Sequence, residues 1–262
     1  MHRSRPQVGL LFLSLLVAAG AGAQEELSFD EYRAIAQTAN TLHHCAMFEP
    51  VEGEPGMYLA IGDKFGKVNV YRLNHGTDHD RVWASRQLDG SPEEVLVADL
   101  DGDGLDDSLI CRTARRLYVF DLNNDYYISY ESQPNDFQSI SAFTVADVDD
   151  DPQKEIVVNA DDKIHYVDGL SFGREWTSLD NYTVIRIRCG DVAGDGRVEL
   201  VLNTGHVLDS GTGGVEWSDQ VFGERLELLD FDGDGILEIL TEGPGQPLRV
   251  WDADFRAEKR FQ

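Results

Sequence analysis

Four nine-residue stretches of this 262-residue chain place acids at matching offsets: D-L-D-G-D-G-L-D-D from Asp99, D-V-D-D-D-P-Q-K-E from Asp147, D-V-A-G-D-G-R-V-E from Asp191 and D-F-D-G-D-G-I-L-E from Asp230. Positions one, three, five and nine of the first are Asp99, Asp101, Asp103 and Asp107; those of the last are Asp230, Asp232, Asp234 and Glu238. Two unit charges 4 Å apart repel by roughly 1 kcal/mol in water and about 4 kcal/mol at a dielectric near 20, so the chemistry these residues suit is cation binding. Their hard oxygens match Ca²⁺, which takes about six to eight oxygens at about 2.3–2.6 Å; Mg²⁺ demands tighter octahedral geometry and Zn²⁺ prefers His and Cys. The carbonyl at position seven, Leu105 or Ile236, would add a ligand, and Gly104, Gly196 and Gly235 at position six permit the backbone turn.

The other two copies depart from the pattern. Pro152 stands at position six of the second, which fixes φ negative and leaves Asp147, Asp149, Asp151 and Glu155 a site of altered geometry. Ala193 replaces the position-three acid of the third, so Asp191, Asp195 and Glu199 form a weaker set. An EF-hand also begins D-x-D-x-D-G, but needs a bidentate Glu at position 12 and flanking helices. Position 12 here is Ile110, Val158, Leu202 or Thr241, and β-forming residues follow.

The elements that must position these loops repeat with them. The nonapeptides begin 48, 44 and 39 residues apart, a period that signals a repeat architecture. Each follows one apolar run (Val95–Ala98, Phe143–Ala146, Ile185–Arg188, Leu226–Leu229) and precedes a second, then a third ending in Asp121, Asp168, Asp209 or Asp252. A fourth run centres on Tyr130, Trp176, Trp217 or Phe261. Short Val/Ile-rich runs bounded by Gly and Asp are strand signals. Leu42 to Trp83 supplies a fifth unit whose loop lacks the acid spacing. Four strands per unit and five units predict an all-β chain, a β-propeller of about five four-stranded blades. Gln24 to Asn40 predicts a short helix sealing one face, and an incomplete ring would self-associate or need a partner. The recurring aromatics are expected to pack between blades, since one repeat cannot bury its own apolar face.

The pattern D-x-D-x-D-G-x-x-[DE] between strands, repeated in blades, resembles the FG-GAP and VCBS-type repeats of integrin α-subunit propellers and of many secreted bacterial proteins. The resemblance covers residues 42–262 and implies that each loop joins the first two strands of a blade around one Ca²⁺. The accessory ligand-binding domains and sevenfold ring of integrins have no counterpart here.

Residues 1–23 combine Arg3 and Arg5, the apolar run Gly9–Val17 and the small residues Ala21-Gly22-Ala23, which reads as a cleavable secretory signal. The chain after it, residues 24–262, has 20 basic against 48 acidic side chains, a net charge of −28. That balance argues against nucleic acid and anionic membrane surfaces, and no membrane insertion is expected. The expected function is a secreted or periplasmic calcium-binding module for a protein or glycan. The alternative is a carbohydrate-active enzyme, a polysaccharide lyase or glycoside hydrolase, with a carboxylate-lined central pocket. Cys45, Cys111 and Cys189 leave one disulfide plus a thiol, or three buried thiols, open. His75 and His79 read as a solvated loop, because no helix surrounds their i, i+4 spacing.

Overall fold

A computed structural model describes residues 45–50, 55–74, 79–149, 151–243, 245 and 247–259. The proposed signal at 1–23, the proposed helix at 24–41, the start of the first strand at 42–44, His75 and Phe261 lie outside the described residues.

Every blade is an antiparallel sheet of four consecutive strands. Blade 1 holds β1 (Cys45–Phe48), β2 (Tyr58–Gly62), β3 (Val68–Leu73) and β4 (His79–Ala84). Blade 2 holds β5 (Glu94–Ala98), β6 (Ser108–Arg112), β7 (Leu117–Asp121) and β8 (Tyr127–Glu131). Blade 3 runs through β9 (Ile140–Ala146), β10 (Glu155–Ala160), β11 (Lys163–Asp168) and β12 (Arg174–Thr177). Blade 4 comprises β13 (Ile187–Gly190), β14 (Glu199–Leu202), β15 (His206–Asp209) and β16 (Val215–Ser218). Blade 5 comprises β17 (Arg225–Leu229), β18 (Glu238–Glu242), β19 (Arg249–Asp252) and β20 (Ala257–Lys259).

Burial explains the sequence pattern. Second strands such as β2, β10 and β14 are buried at every residue; a neighbouring blade covers each face of β10 and β14 and one face of β2, so they read as continuous apolar runs. Fourth strands such as β12 and β16 lie at the rim and are largely exposed. Four apolar clusters join successive blades, around Phe120, Phe143, Ile187 and Ile239. A smaller cluster of Leu59 and Ile61, packed by Cys45, Tyr71 and Leu73, covers the remaining face of blade 1.

The rim aromatics bridge blades. Trp83 stacks on Tyr126 of blade 2 with centroids 4.6 Å apart, and Tyr130 stacks on Phe172 of blade 3, also at 4.6 Å. Trp217 meets Trp251 of blade 5 at 6.1 Å. Tyr126, Phe172 and Gly213 occupy one place, a positive-φ turn residue after the third strand of each receiving blade. In blade 4 that residue is glycine, at φ +69°, and a Cβ there would lie 2.4 Å from the Trp176 ring. Gly213→Ala is therefore expected to lower stability by about 1–3 kcal/mol, read by urea unfolding. Equal stability would mean that Trp176 does not pin this seam.

One register differs from expectation. Trp176 and Trp217 sit opposite Tyr166 and Val207, each followed by a bulge. Among its described residues blade 5 shows no such bulge, and Lys259, not Phe261, sits opposite the matching Val250.

Candidate metal centres

The up-and-down order of each blade brings two connections to one end of the propeller: the acidic loop between strands one and two, and the hairpin between strands three and four. Asp121, Asp168, Asp209 and Asp252 end the third strands beside the loops. Asp168 and Asp209 accept from turn N–H groups of Ser171 and Thr212 at 2.6 and 2.7 Å.

Within three loops the first acid builds the turn. Asp99 accepts from Gly102 N–H at 2.8 Å and Gly104 N–H at 3.0 Å; Asp191 does the same with Gly194 and Gly196, and Asp230 with Gly233 and Gly235. All six glycines have φ between +72° and +92°, a region that glycine enters without steric cost. The need for glycine at position four was not legible from position six alone. Gly102 also has a packing reason, since a Cβ would lie 1.8 Å from the Pro152 carbonyl oxygen of the next loop. Neighbouring loops are further tied by Lys154 N–H to Leu100 O at 3.0 Å and by Leu237 N–H to Asp191 O at 3.1 Å.

Position two is an apolar plug that the charge pattern concealed. Leu100, Val148 and Val192 are buried in the clusters between blades. Phe231, the fourth of the set, is exposed.

Among the described residues, four acid groups have carboxylate oxygens within 4.8 Å of one another: Asp99, Asp101 and Asp103; Asp147, Asp149 and Glu155; Asp191, Asp195 and Glu199; Asp230, Asp232 and Asp234. Asp107, Asp151 and Glu238 lie outside these groups. Asp107 instead accepts from Asn123 Nδ2 at 2.8 Å, while burial, then the charges of Asp101 and Asp103, raise its carboxyl above the ordinary range. Asp106, absent from the expected ligands, accepts from Asp99 N–H at 3.0 Å. The doubled acid at positions eight and nine was the available signal. The Leu105 carbonyl accepts from Asp107 N–H at 2.9 Å. The Ile236 side chain packs against Gly194 of the preceding loop.

The position-nine glutamates carry the most informative geometry. Glu155 and Glu199 are fully buried. One oxygen of each is held: Val148 N–H donates to Glu155 Oε2 at 2.8 Å, and Val192 N–H donates to Glu199 Oε2 at 2.9 Å. The other oxygens, Glu155 Oε1 and Glu199 Oε1, are buried with no hydrogen-bond partner among the described residues. Leaving a buried charged group unsatisfied costs several kcal/mol, and a divalent cation bound also by Asp147 and Asp149, or by Asp191 and Asp195, fits the need.

Burial raises both glutamates to about 7, against the opposing N–H bonds from Val148 and Val192. From the ordinary 4.5 up to about 7, the metal-free folded chain binds more protons than the unfolded chain at these groups. Their contribution to stability therefore falls as pH rises through that window and levels off above it. In chelator, urea unfolding between pH 5 and pH 8 should show a flatter profile for Glu155→Gln/Glu199→Gln than for the wild type. Matching profiles would contradict this assignment.

The axis is lined differently. Arg112 Nε donates to Glu94 Oε2 at 3.1 Å, and Arg186 of blade 4 reaches across to Glu94 Oε1 at 3.2 Å. Arg188 donates to both carboxylate oxygens of Glu227, from Nε at 2.9 Å and Nη2 at 2.6 Å. Glu94 and Glu227 are thus each paired with arginine. All three cysteines are free thiols, and burial pushes Cys189 up to about 12. No helix among the described residues is long and apolar enough to cross a membrane.

Fold and site together define a five-bladed β-propeller with acidic loops on one end. Solved structures agree on the fold: the chain is similar to the V. cholerae biofilm matrix protein Bap1 (18% identity, TM-score 0.55, 82% of this chain and 40% of that one). It is also similar to the WD40 β-propeller domain of Doa1 (17%, TM-score 0.57, 82% and 66%). A structure of BBS1N in complex with ARL6DN gives 13% identity and a TM-score of 0.54 over 78% of this chain and 60% of that one. The chain thus spans less than two thirds of each of these. No protein-family model and no curated protein sequence matches.

Proposed function

We propose that this protein is an exported, calcium-stabilised β-propeller of the FG-GAP/VCBS type that serves as a binding or scaffolding module for a protein or glycan. The observation that carries the calcium reading is the pair of orphaned buried oxygens, Glu155 Oε1 and Glu199 Oε1, each beside two aspartates. A cation there converts a desolvation penalty into binding free energy, which becomes folding free energy. The binding role draws on exposed apolar side chains at the same end of the molecule. Leu170 and Phe255 stand on turns between third and fourth strands, Tyr127 opens β8, and Leu105 and Phe231 lie on the loops themselves. The structure of BBS1N with ARL6DN is an instance of this fold class in a protein complex. Export rests on the basic and apolar pattern of residues 1–23 and on a net charge suited to a calcium-rich exterior.

Equilibrium dialysis against ⁴⁵Ca²⁺ tests the metal reading. The wild type should bind calcium, and Glu155→Gln/Glu199→Gln should lose two ions per chain. Binding unchanged in the double variant would refute the assignment to these loops.

A further inference from the structure

The loop between β17 and β18 has the full acid set, yet its surroundings differ from those of the two preceding loops. Lys259 Nζ, on β20, lies 2.6 Å from Asp232 Oδ2 and 2.5 Å from Glu238 Oε1, with Asp252 Oδ2 at 3.4 Å. Glu238 is buried, and its Oε2 accepts from Phe231 N–H at 2.6 Å, as Glu155 and Glu199 accept from Val148 and Val192. Its Oε1 is therefore the counterpart of the two orphaned oxygens. In blades 3 and 4 that atom has no hydrogen-bond partner among the described residues; in blade 5 it has an ammonium group.

From these contacts we infer that Lys259 is the built-in cation of the fifth blade, occupying the place that calcium takes in blades 3 and 4. The inference rests on the calcium reading of those two blades. Its structural origin is the missing bulge. In blades 3 and 4 the bulged fourth strand puts Glu175 and Glu216 at the rim of the loop, Glu175 within reach of the charges of Asp149 and Asp151, and Glu216 of Asp195. Those strands add negative charge and favour a divalent ion. Without the bulge, β20 brings Lys259 opposite Val250, from where its four-carbon stem reaches the loop. A monovalent ammonium with three donors can satisfy Asp232, Glu238 and Asp252 together, but it must leave before a divalent ion can enter.

The consequence is a difference in stoichiometry. Lys259→Gln should bind one calcium ion per chain more than the wild type in equilibrium dialysis, and Asp230→Asn added to it should remove that extra ion. Lys259→Arg, which keeps the charge, should bind as the wild type does. If the wild type binds calcium and Lys259→Gln gains none, the inference is overturned while the calcium reading stands. If neither protein binds calcium, the calcium reading fails, and stability in chelator decides the role of Lys259. Lys259→Gln must then melt lower than the wild type, because three carboxylates lose their cation; an equal melting temperature overturns the inference.

Discussion

Chelating calcium from the intact protein is expected to lower its melting temperature by about 10–20 °C. A site held at a hundred times its dissociation constant contributes about 2.7 kcal/mol, and each kcal/mol moves the midpoint of a domain this size by about 2–4 °C. Two sites, those around Glu155 and Glu199, suffice for the effect. Differential scanning calorimetry with Ca²⁺, with EDTA and with Mg²⁺ at fixed ionic strength would measure it. The fixed ionic strength matters because screening alone relieves exposed aspartates such as Asp101, whereas salt screens buried carboxylates much less. The Glu155→Gln/Glu199→Gln variant should lose most of the calcium-dependent shift. A wild-type transition unmoved by chelator would reduce the loops to a solvated acidic surface.

Arg112→Ala should cost about 3–5 kcal/mol, the range for breaking a buried ion pair from one side. Arg112 is almost fully buried, contacts Glu94 and Glu93, and donates to the carbonyl oxygens of Ile140 and Ser141 in blade 3 at 3.0 and 2.9 Å. Truncation leaves buried Glu94 to Arg186 alone and strands two carbonyl groups at the start of β9. Adding Glu94→Gln should recover part of the loss, since the uncompensated charge is then gone. Urea unfolding of the two single variants and the double variant gives the coupling directly. Additive costs would mean that the pair does not act as a unit. Glu94 and Arg112 stand where β5 begins and β6 ends, opposite the acidic loops, so calcium affinity should survive both substitutions.

The chain's repeats were readable because their cause is local. Apolar runs of four to six residues, the acids between them and the glycines at position six recur at a blade-sized period, and each blade forms from consecutive strands. Local chemistry also marked Trp83, Tyr130, Trp176 and Trp217 as seam residues, although their partners Tyr126, Phe172 and Gly213 were hidden in turns whose positive φ no composition reveals. The cross-axis reach of Arg186 to Glu94 spans two blades and leaves no local trace.

The candidate sites divide in the same way. Sequence alone placed three acids of each loop close together, because a nine-residue loop keeps most of its carboxylates near one another, although Asp107, Asp151 and Glu238 fall outside those groups. Tertiary structure decided what each loop lacks. Pro152 and Ala193 suggest impaired loops, yet these are the two in which a buried glutamate oxygen faces no partner. The intact set from Asp230 to Glu238 meets Lys259, more than twenty residues on along the chain. Charge balance in a low-dielectric seam depends on groups delivered by neighbouring strands, and a single missing bulge exchanges a glutamate for a lysine there.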